Sequence, residues 1–572
     1  MAKKATATQS VKNVEPTEIS VCYELFDLPT AFHKAGLAGL ILLIQSLKER
    51  NHLNADDAKV ELSPTQAKIQ FSEKMLRIVM DDMYAAKTVE VAVKSKWQGA
   101  QIKREDFVEE EVDGKKTRTK RFIYDQVQPL GTYFDFVFDG DKEVWRKLWR
   151  DMLWNIPRGR PTTREPFNQC AASGTCKEGL NTWADLLKVQ KMAAKGGFHT
   201  SELSSALFPG AQAVNAESVP FMGRSEQNLL LHFWPLAALI FVPQAIDADG
   251  KTDFVGYSLA VPDVSNLVAF VEEYPKLLAS FTSEVRGYRP AQSVIDLPAE
   301  GAMAFLDDLA LITGLEVEKG EWRSSVSHIE YLHLAKEGNN IKSLAAGRVS
   351  PIPKLIERYR VLIRPPDESL KFRHSLFRRG LLVALLDDAS WFQPFGRMLN
   401  SFDATIFIRQ SHRTQEEKGP PQFANDVAKK FRYENKLFTQ SLERHMTIPD
   451  ASPVTAPPAV IVNRVIRGYL LARTKDKSKI DPDKFKNSDG EIDYKSIPSE
   501  FNDVKQKLAM SLFLEFRSRR DQAFADHFAA TFFSVTHRFA ENDRLELANL
   551  LTIPERRDDL KTLTLLSLSA NS

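Results

Sequence analysis

Between Phe107 and Val127 the chain reads "FVEEEVDGKKTRTKRFIYDQV", an acidic extended run and a basic one separated by Asp113-Gly114. A two-residue Asp-Gly loop readily takes the left-handed backbone of a type I′ turn, whose twist matches that of the strands it joins. With that turn Glu111 falls opposite Lys116 and Glu109 opposite Arg118, so each strand neutralises the other. The segment therefore demands an antiparallel pair, and most of its basic run is explained without a ligand.

A second hairpin is expected in "LIFVPQAIDADGKTDFVGYSLAVP", where Asp249-Gly250 separates an apolar strand from one over Asp253 to Val261. Helical patterns run from Leu28 to Glu49, near Gln66 to Ala85, from Val264 to Leu278 and from Glu300 to Gly314. The first contains "AGLAGLILLI", Ala35 to Ile44, which is far short of the roughly 20 residues that span a bilayer. It reads as a buried helix, with Gly36 and Gly39 admitting a close neighbour. In "EVWRKLWRDMLW", Trp145, Leu148, Trp149 and Met152 share one helical stripe, as core residues do.

Hairpins and helices in irregular alternation predict an α+β fold. The clearest break is "MTIPDASPVTAPPAV", Met446 to Val460, with four prolines. After it the chain reads as helix over Val460 to Arg473, Lys505 to Phe539 and Glu541 to Leu550. The expected organisation is a polar tail (1–17), a large mixed α+β body with β-hairpins and helices (18–445), a Pro-rich linker (446–460) and a C-terminal helical bundle (461–572).

Catalytic motifs are missing where they would be legible. Gly250-Lys251-Thr252 lacks the earlier glycine of a phosphate-binding loop, since Ala245 stands there. There is no HExxH, no adjacent His-Asp and no GxSxG. Asp307-Asp308 and Asp387-Asp388 read as solvated helix faces or caps rather than metal sites. Three cysteines, Cys22, Cys170 and Cys176, point to a reducing, cytoplasmic setting, and Cys170 with Cys176 has no second pair to complete a zinc site. No catalytic residue, metal or cofactor is expected.

The chain carries 77 basic and 75 acidic residues, a net charge of +2, so any nucleic-acid contact must come from local clusters. The densest is "WNIPRGRPTTREPF", where Arg158, Arg160 and Arg164 alternate with prolines beside Thr162 and Thr163. Prolines hold this bend out of helix and sheet, and arginine forks with threonine hydroxyls suit phosphate. Pairing with Asp151 and Glu165 is the competing reading. In "SLKFRHSLFRRGLL", Lys371, His374, Ser375 and Arg378 would share a basic helical face, either solvated or bound. In "KEGNNIKSLAAGRVSP", Asn339 and Asn340 mark a turn followed by Lys342 and Arg348; the amides serve the turn itself or reach base edges. Arg517, Arg519 and Arg520 surround a C-terminal helix in the same ambiguous way.

The segments "DLPTAFHKAGLAGLILLI", "IPRGRPTTREPF" and "IEYLHLAKEGNNIKSLAAGRV", over about residues 20 to 350, together resemble the large subunit of type I CRISPR Cascade, nearest to its Myxococcus-type, I-B-like branch. The resemblance implies a non-catalytic subunit that holds the 5′ end of a guide RNA, inspects the protospacer-adjacent motif in double-stranded target DNA and stabilises the R-loop. It implies Cascade backbone and small subunits as partners, with a helicase-nuclease or a transposition adaptor downstream, and no membrane. On this reading Arg158, Arg160, Thr162, Thr163 and Arg164 contact guide or target backbone, with Asn339, Asn340 and Lys342 second. Lys94, Lys96 and Gln98, beside Trp97 as a wedge, are candidates for motif reading. An internal start at Met446 would yield the bundle as a separate small subunit. The alternatives are a metal-dependent nuclease using Asp135, Asp139 and Asp141, and a protein-only scaffold built on Phe513, Phe516, Phe524, Phe528, Phe532 and Phe533.

Overall fold

The computed structural model describes residues 16–572 apart from 98, 113–114, 139–141, 156–163, 204–220, 248–250, 315–323, 338–339, 366–369, 409–421, 447–453, 486–491 and 493–495. The fold is α+β, in two compact units: Met1–Pro243 with Gly256–Pro353, and Gln244–Val255 with Lys354–Ser572.

In the first unit the strand Gln66–Ser72 lies between Glu18–Glu24 and Lys59–Leu62, antiparallel to both. The helix expected from Gln66 therefore begins only at Glu73. Ala67, Ile69 and Phe71 alternate into the core with period two, and Ser72 then caps the helix Glu73–Met83 by accepting the Met75 amide. The helix Ala31–Glu49 is buried along most of its length and packs on the short turns Leu229–His232 and Trp234–Leu236.

That helix buries His33, which is 2% exposed and shares a hydrogen bond between its Nδ1 and Thr30 Oγ1. Burial disfavours the charged ring and lowers its pKa from 6.5 to about 4. The unfolded chain thus binds a proton between these values that the folded chain refuses. Stability is full above the upper value, falls as pH drops toward the lower, and changes no further below it. The shift corresponds to roughly 3 kcal/mol. Urea midpoints measured across this window should fall less steeply with acid in His33→Gln than in the wild type.

The turn residues Asp113 and Gly114 lie outside the described residues, but the strands on either side pair in the expected register. Lys115–Pro129 is the central strand between Arg104–Val112 and Ala86–Val93, with Glu111 opposite Lys116 and Glu109 opposite Arg118. The helices Glu143–Asn155 and Glu165–Ser173 pack on this sheet. Trp145, Leu148, Trp149 and Met152 are all core residues.

A further antiparallel sheet joins Leu239–Ile246, Tyr257–Val264, Val326–Glu337 and Asn340–Val349 in that order. The hairpin expected at Asp249-Gly250 pairs Ile246 with Thr252, but the returning strand breaks after Phe254 and resumes at Tyr257. Gly256 sits in that break at φ +63°, where a β-carbon would press on the backbone of Leu334 and Ala335. The expected helices appear as Leu267–Ala279 and Pro298–Ile312.

The second unit is mainly helical, with Ser375–Leu386, Gln422–Met446, Pro458–Ser478, Ser499–Ser518, Asp521–Phe532, Glu541–Thr552 and Pro554–Ser569 among its helices. The Pro-rich segment expected as a linker lies inside this unit, and the helices on either side of it pack on one another. The continuous helix expected over Lys505 to Phe539 is broken at Arg519 and Arg520. Both have extended backbone, Asp521 is left-handed at φ +47°, and Lys561 donates to the Arg519 carbonyl, so the chain turns there. No helix among the described residues is long and apolar enough to cross a membrane.

Candidate nucleic-acid interface

The connection from Val93 to Arg104 folds back across the central strand of the hairpin sheet. Period two puts Phe122 and Tyr124 on one face of that strand, and the connection covers both. The Trp97 indole stacks on Tyr124 at 4.6 Å between centroids, and its amide donates to the Tyr124 hydroxyl at 3.0 Å. Lys96 Nζ lies 5.2 Å and Lys120 Nζ 5.4 Å from the centre of the Phe122 ring.

Tyr124 is buried, yet Trp97 remains 39% exposed and Lys94 and Lys96 are exposed. The other end of the connection is pinned by charge: Lys103 pairs with Asp125 and Glu90, and Arg104 with Glu90. Those two cations hold the Glu90 carboxyl down at about 2. The result is a stiff connection presenting one aromatic plane and two lysines to solvent. Such a surface can stack on a base and neutralise phosphate at once. Gln98 lies outside the described residues.

The Arg-rich bend leaves from the same sheet. Its flanking helices, Glu143–Asn155 and Glu165–Ser173, both pack there, while Arg158, Arg160, Thr162 and Thr163 lie outside the described residues. Arg164 immediately precedes the second helix. Its guanidinium sits over the Trp154 ring at 4.9 Å, and its Nε donates to the Trp154 carbonyl at 3.4 Å. Trp154 in turn leans on Phe167. Arg164 thus clasps the two ends of the bend. The acids weighed as partners are engaged elsewhere: Asp151 pairs with Arg289, and Glu165 accepts from Gln169.

Lys342 and Arg348 are exposed on the strand Asn340–Val349 of the other sheet, opposite Ala335 and Glu330. Asn340 opens that strand, and Asn339 lies outside the described residues. Lys371 and Arg378 belong to the second unit, and the helical stripe expected to join them does not form. The buried carboxylate of Asp426 accepts the amides of Arg373 and His374, which stops the helix at Ser375 and leaves Lys371 outside it. Arg378 donates to the carbonyl of Ile363 at 3.1 Å, and the Lys371 carbonyl accepts from Lys429. Arg517 donates to the Phe402 carbonyl, and Arg519 pairs with Glu515.

Asp135, weighed as a nuclease ligand, is bound by Arg150 at 3.1 Å and lies 4.0 Å from Arg146, while Asp139 and Asp141 lie outside the described residues. Lys94, Lys96 and Trp97 stand out in the sequence as candidates, whereas Phe122, Tyr124 and Lys120 beneath them do not. The alternation in "KRFIYDQV" carries that signal once the hairpin register is fixed.

Two family models match the chain and together cover nearly all of it. The Type I-B CRISPR Cas8b N-terminal domain matches residues 58–319, and the Type I-B CRISPR Cas8b C-terminal domain matches residues 326–571. A comparison with curated proteins finds no match.

Proposed function

The chain belongs to the Type I-B CRISPR Cas8b family, a large-subunit family of Cascade, and from that premise we propose that it serves as the non-catalytic reader of an RNA-guided DNA-surveillance complex. Guide pairing reads the long target sequence, so the protein has only to inspect a short motif in duplex DNA, hold the guide 5′ end and keep the displaced strand apart. A nearly neutral chain with local cationic clusters suits that division. The proposed partners are the guide RNA, target double-stranded DNA, the Cascade backbone and small subunits, and a downstream helicase-nuclease or transposition adaptor. Within the complex the Arg158 to Arg164 bend grips nucleic-acid backbone, with Asn339, Asn340, Lys342 and Arg348 as a second contact. Lys371 and Arg378 are weaker contributors, because the Arg378 guanidinium is tied to the Ile363 carbonyl and Lys371 lies outside the helix expected to align them.

The observation that carries the reading is the Trp97 plane on Tyr124, flanked by exposed Lys94 and Lys96. A single rigid aromatic beside cations is the equipment needed to test a base step in duplex DNA. Competition binding with the assembled, guide-loaded complex tests it. Lys96→Ala/Trp97→Ala should weaken binding to motif-bearing target by about 10-fold or more, the range of one lost base stack. Guide retention should be unchanged, and the preference for motif-bearing over motif-less DNA should collapse. Retained preference would assign motif reading to other residues.

A further inference from the structure

Three side chains with metal-binding atoms converge in the first unit from parts of the sequence far apart. Asp81 lies near the end of the helix Glu73–Met83, Cys170 on the helix Glu165–Ser173, and Cys176 in the turn before the helix Glu178–Ala193. A carboxylate oxygen of Asp81 and the two sulfurs all lie within 4.8 Å of one another. The spacing of the two cysteines gives no hint of this, because the third group enters from 89 residues before Cys170.

The backbone holds the three together. The Cys176 amide donates to Asp81 Oδ1 at 2.8 Å, and the Cys170 sulfur lies 3.9 Å from the Asp81 carbonyl oxygen. Gly174, left-handed at φ +78°, ends the helix by donating to the Cys170 carbonyl and turns the chain so that Cys176 faces Cys170. At Gly179 a β-carbon would come within 2.6 Å of the Arg77 Cα, so the helices carrying Asp81 and following Cys176 touch backbone to backbone. The positions of all three groups are fixed by main-chain packing.

Their accessibility separates two uses for a pair of close thiols. Cys170 and Cys176 are 4% and 9% exposed, which closes them to thiol-exchange partners. A closed thiol pair with a half-buried carboxylate is instead a donor set for a borderline-soft divalent cation. Tetrahedral zinc at Zn–S of about 2.3 Å and Zn–O of about 2.0 Å sets its ligand atoms roughly 3.3–3.8 Å apart, so the observed cluster closes on the ion by shifts of about 1 Å.

We propose that Asp81, Cys170 and Cys176 form a zinc site, with water in the fourth position on the exposed side of Asp81. Binding releases the two thiol protons to solvent and forms two Zn–S bonds and one Zn–O bond. The ion ties the helix Glu73–Met83 to the connection between Glu165–Ser173 and Glu178–Ala193. It thereby braces the helix that follows the Arg-rich bend.

Elemental analysis of the full chain, purified under reducing conditions without a chelator or polyhistidine tag, should find one zinc per chain. Cys22→Ser should keep it, whereas Cys170→Ser and Cys176→Ser should lose most of it. Because those two cysteines are buried, the decisive variant is Asp81→Asn, which keeps the acceptor for the Cys176 amide; its metal affinity should fall by more than the roughly 10–100-fold that loss of an outer-shell partner costs, with the fold intact by circular dichroism. If zinc is substoichiometric, cobalt added to the reduced chain should give a thiolate charge-transfer band and the intense visible bands of tetrahedral coordination. Zinc-poor protein that shows no such bands overturns the site, as does recovery of a Cys170–Cys176 disulfide from freshly isolated chain.

Discussion

Gly36→Ala is expected to destabilise the first unit severely, although alanine is the smallest side chain and the best helix former. The helix Ala31–Glu49 lies so close to the turn Leu229–His232 that a β-carbon at position 36 would stand 2.7 Å from the Leu230 carbonyl carbon and overlap its oxygen. The obstacle is backbone on both sides, so no rotamer change relieves it. Gly39 meets the Phe233 carbonyl in the same way, one turn further on. Overpacking of this kind costs about 3 kcal/mol or more, against a total stability of roughly 5–15 kcal/mol. Gly36→Ala should therefore give poorly soluble chain whose urea midpoint lies well below that of the wild type. Gly468→Ala is the control, since its added carbon meets nothing within 4 Å beyond its own helix backbone and chain neighbours, and the helix Pro458–Ser478 should gain about 0.5–1 kcal/mol. Soluble Gly36→Ala with wild-type stability would mean that this packing is not the one in solution.

Gly36 and Gly39 were legible as points of close approach because an apolar run with two glycines one turn apart has few other uses. The Asp113-Gly114 register was legible for a stronger reason: turn chemistry and opposed charges specify the same pairing independently. The core stripe of Trp145 and Trp149 followed from helical spacing alone. Two of the failures depended on distant groups. The carboxylate of Asp426 stops a helix some fifty residues earlier, and the Lys561 ammonium meets the Arg519 carbonyl where a helix was expected to continue. The strand Gln66–Ser72 was missed because its period-two stretch runs straight into an amphipathic helix, and only the Ser72 cap divides them. At the candidate interface, the sequence showed exposed cations and one tryptophan. It did not show that Tyr124 and Phe122 support them, nor that Arg164 is turned onto Trp154.

That last contact divides labour within the Arg-rich bend. Arg164 clasps the ends of the bend through Trp154, which leaves Arg158 and Arg160 as the residues proposed to meet phosphate. Each phosphate neutralised releases condensed counterions, so two such contacts steepen the salt dependence of binding by a predictable amount. Loss of both should also weaken target binding by about 100-fold near physiological salt, if each charge-assisted contact contributes roughly 1.5 kcal/mol. Arg164→Ala should have a smaller effect, exerted through the shape of the bend.

The central claim is that this chain binds nucleic acid as part of a guided complex, through the Arg-rich bend and the Trp97 surface. The most direct measurement is the slope of log Kd against log salt for target DNA bound by the guide-loaded complex, wild type against Arg158→Ala/Arg160→Ala. The expected result is an intact complex whose slope is shallower by about 1.4–1.8, as two lost phosphate contacts require. An intact complex with unchanged affinity and unchanged slope would contradict the assignment of the bend.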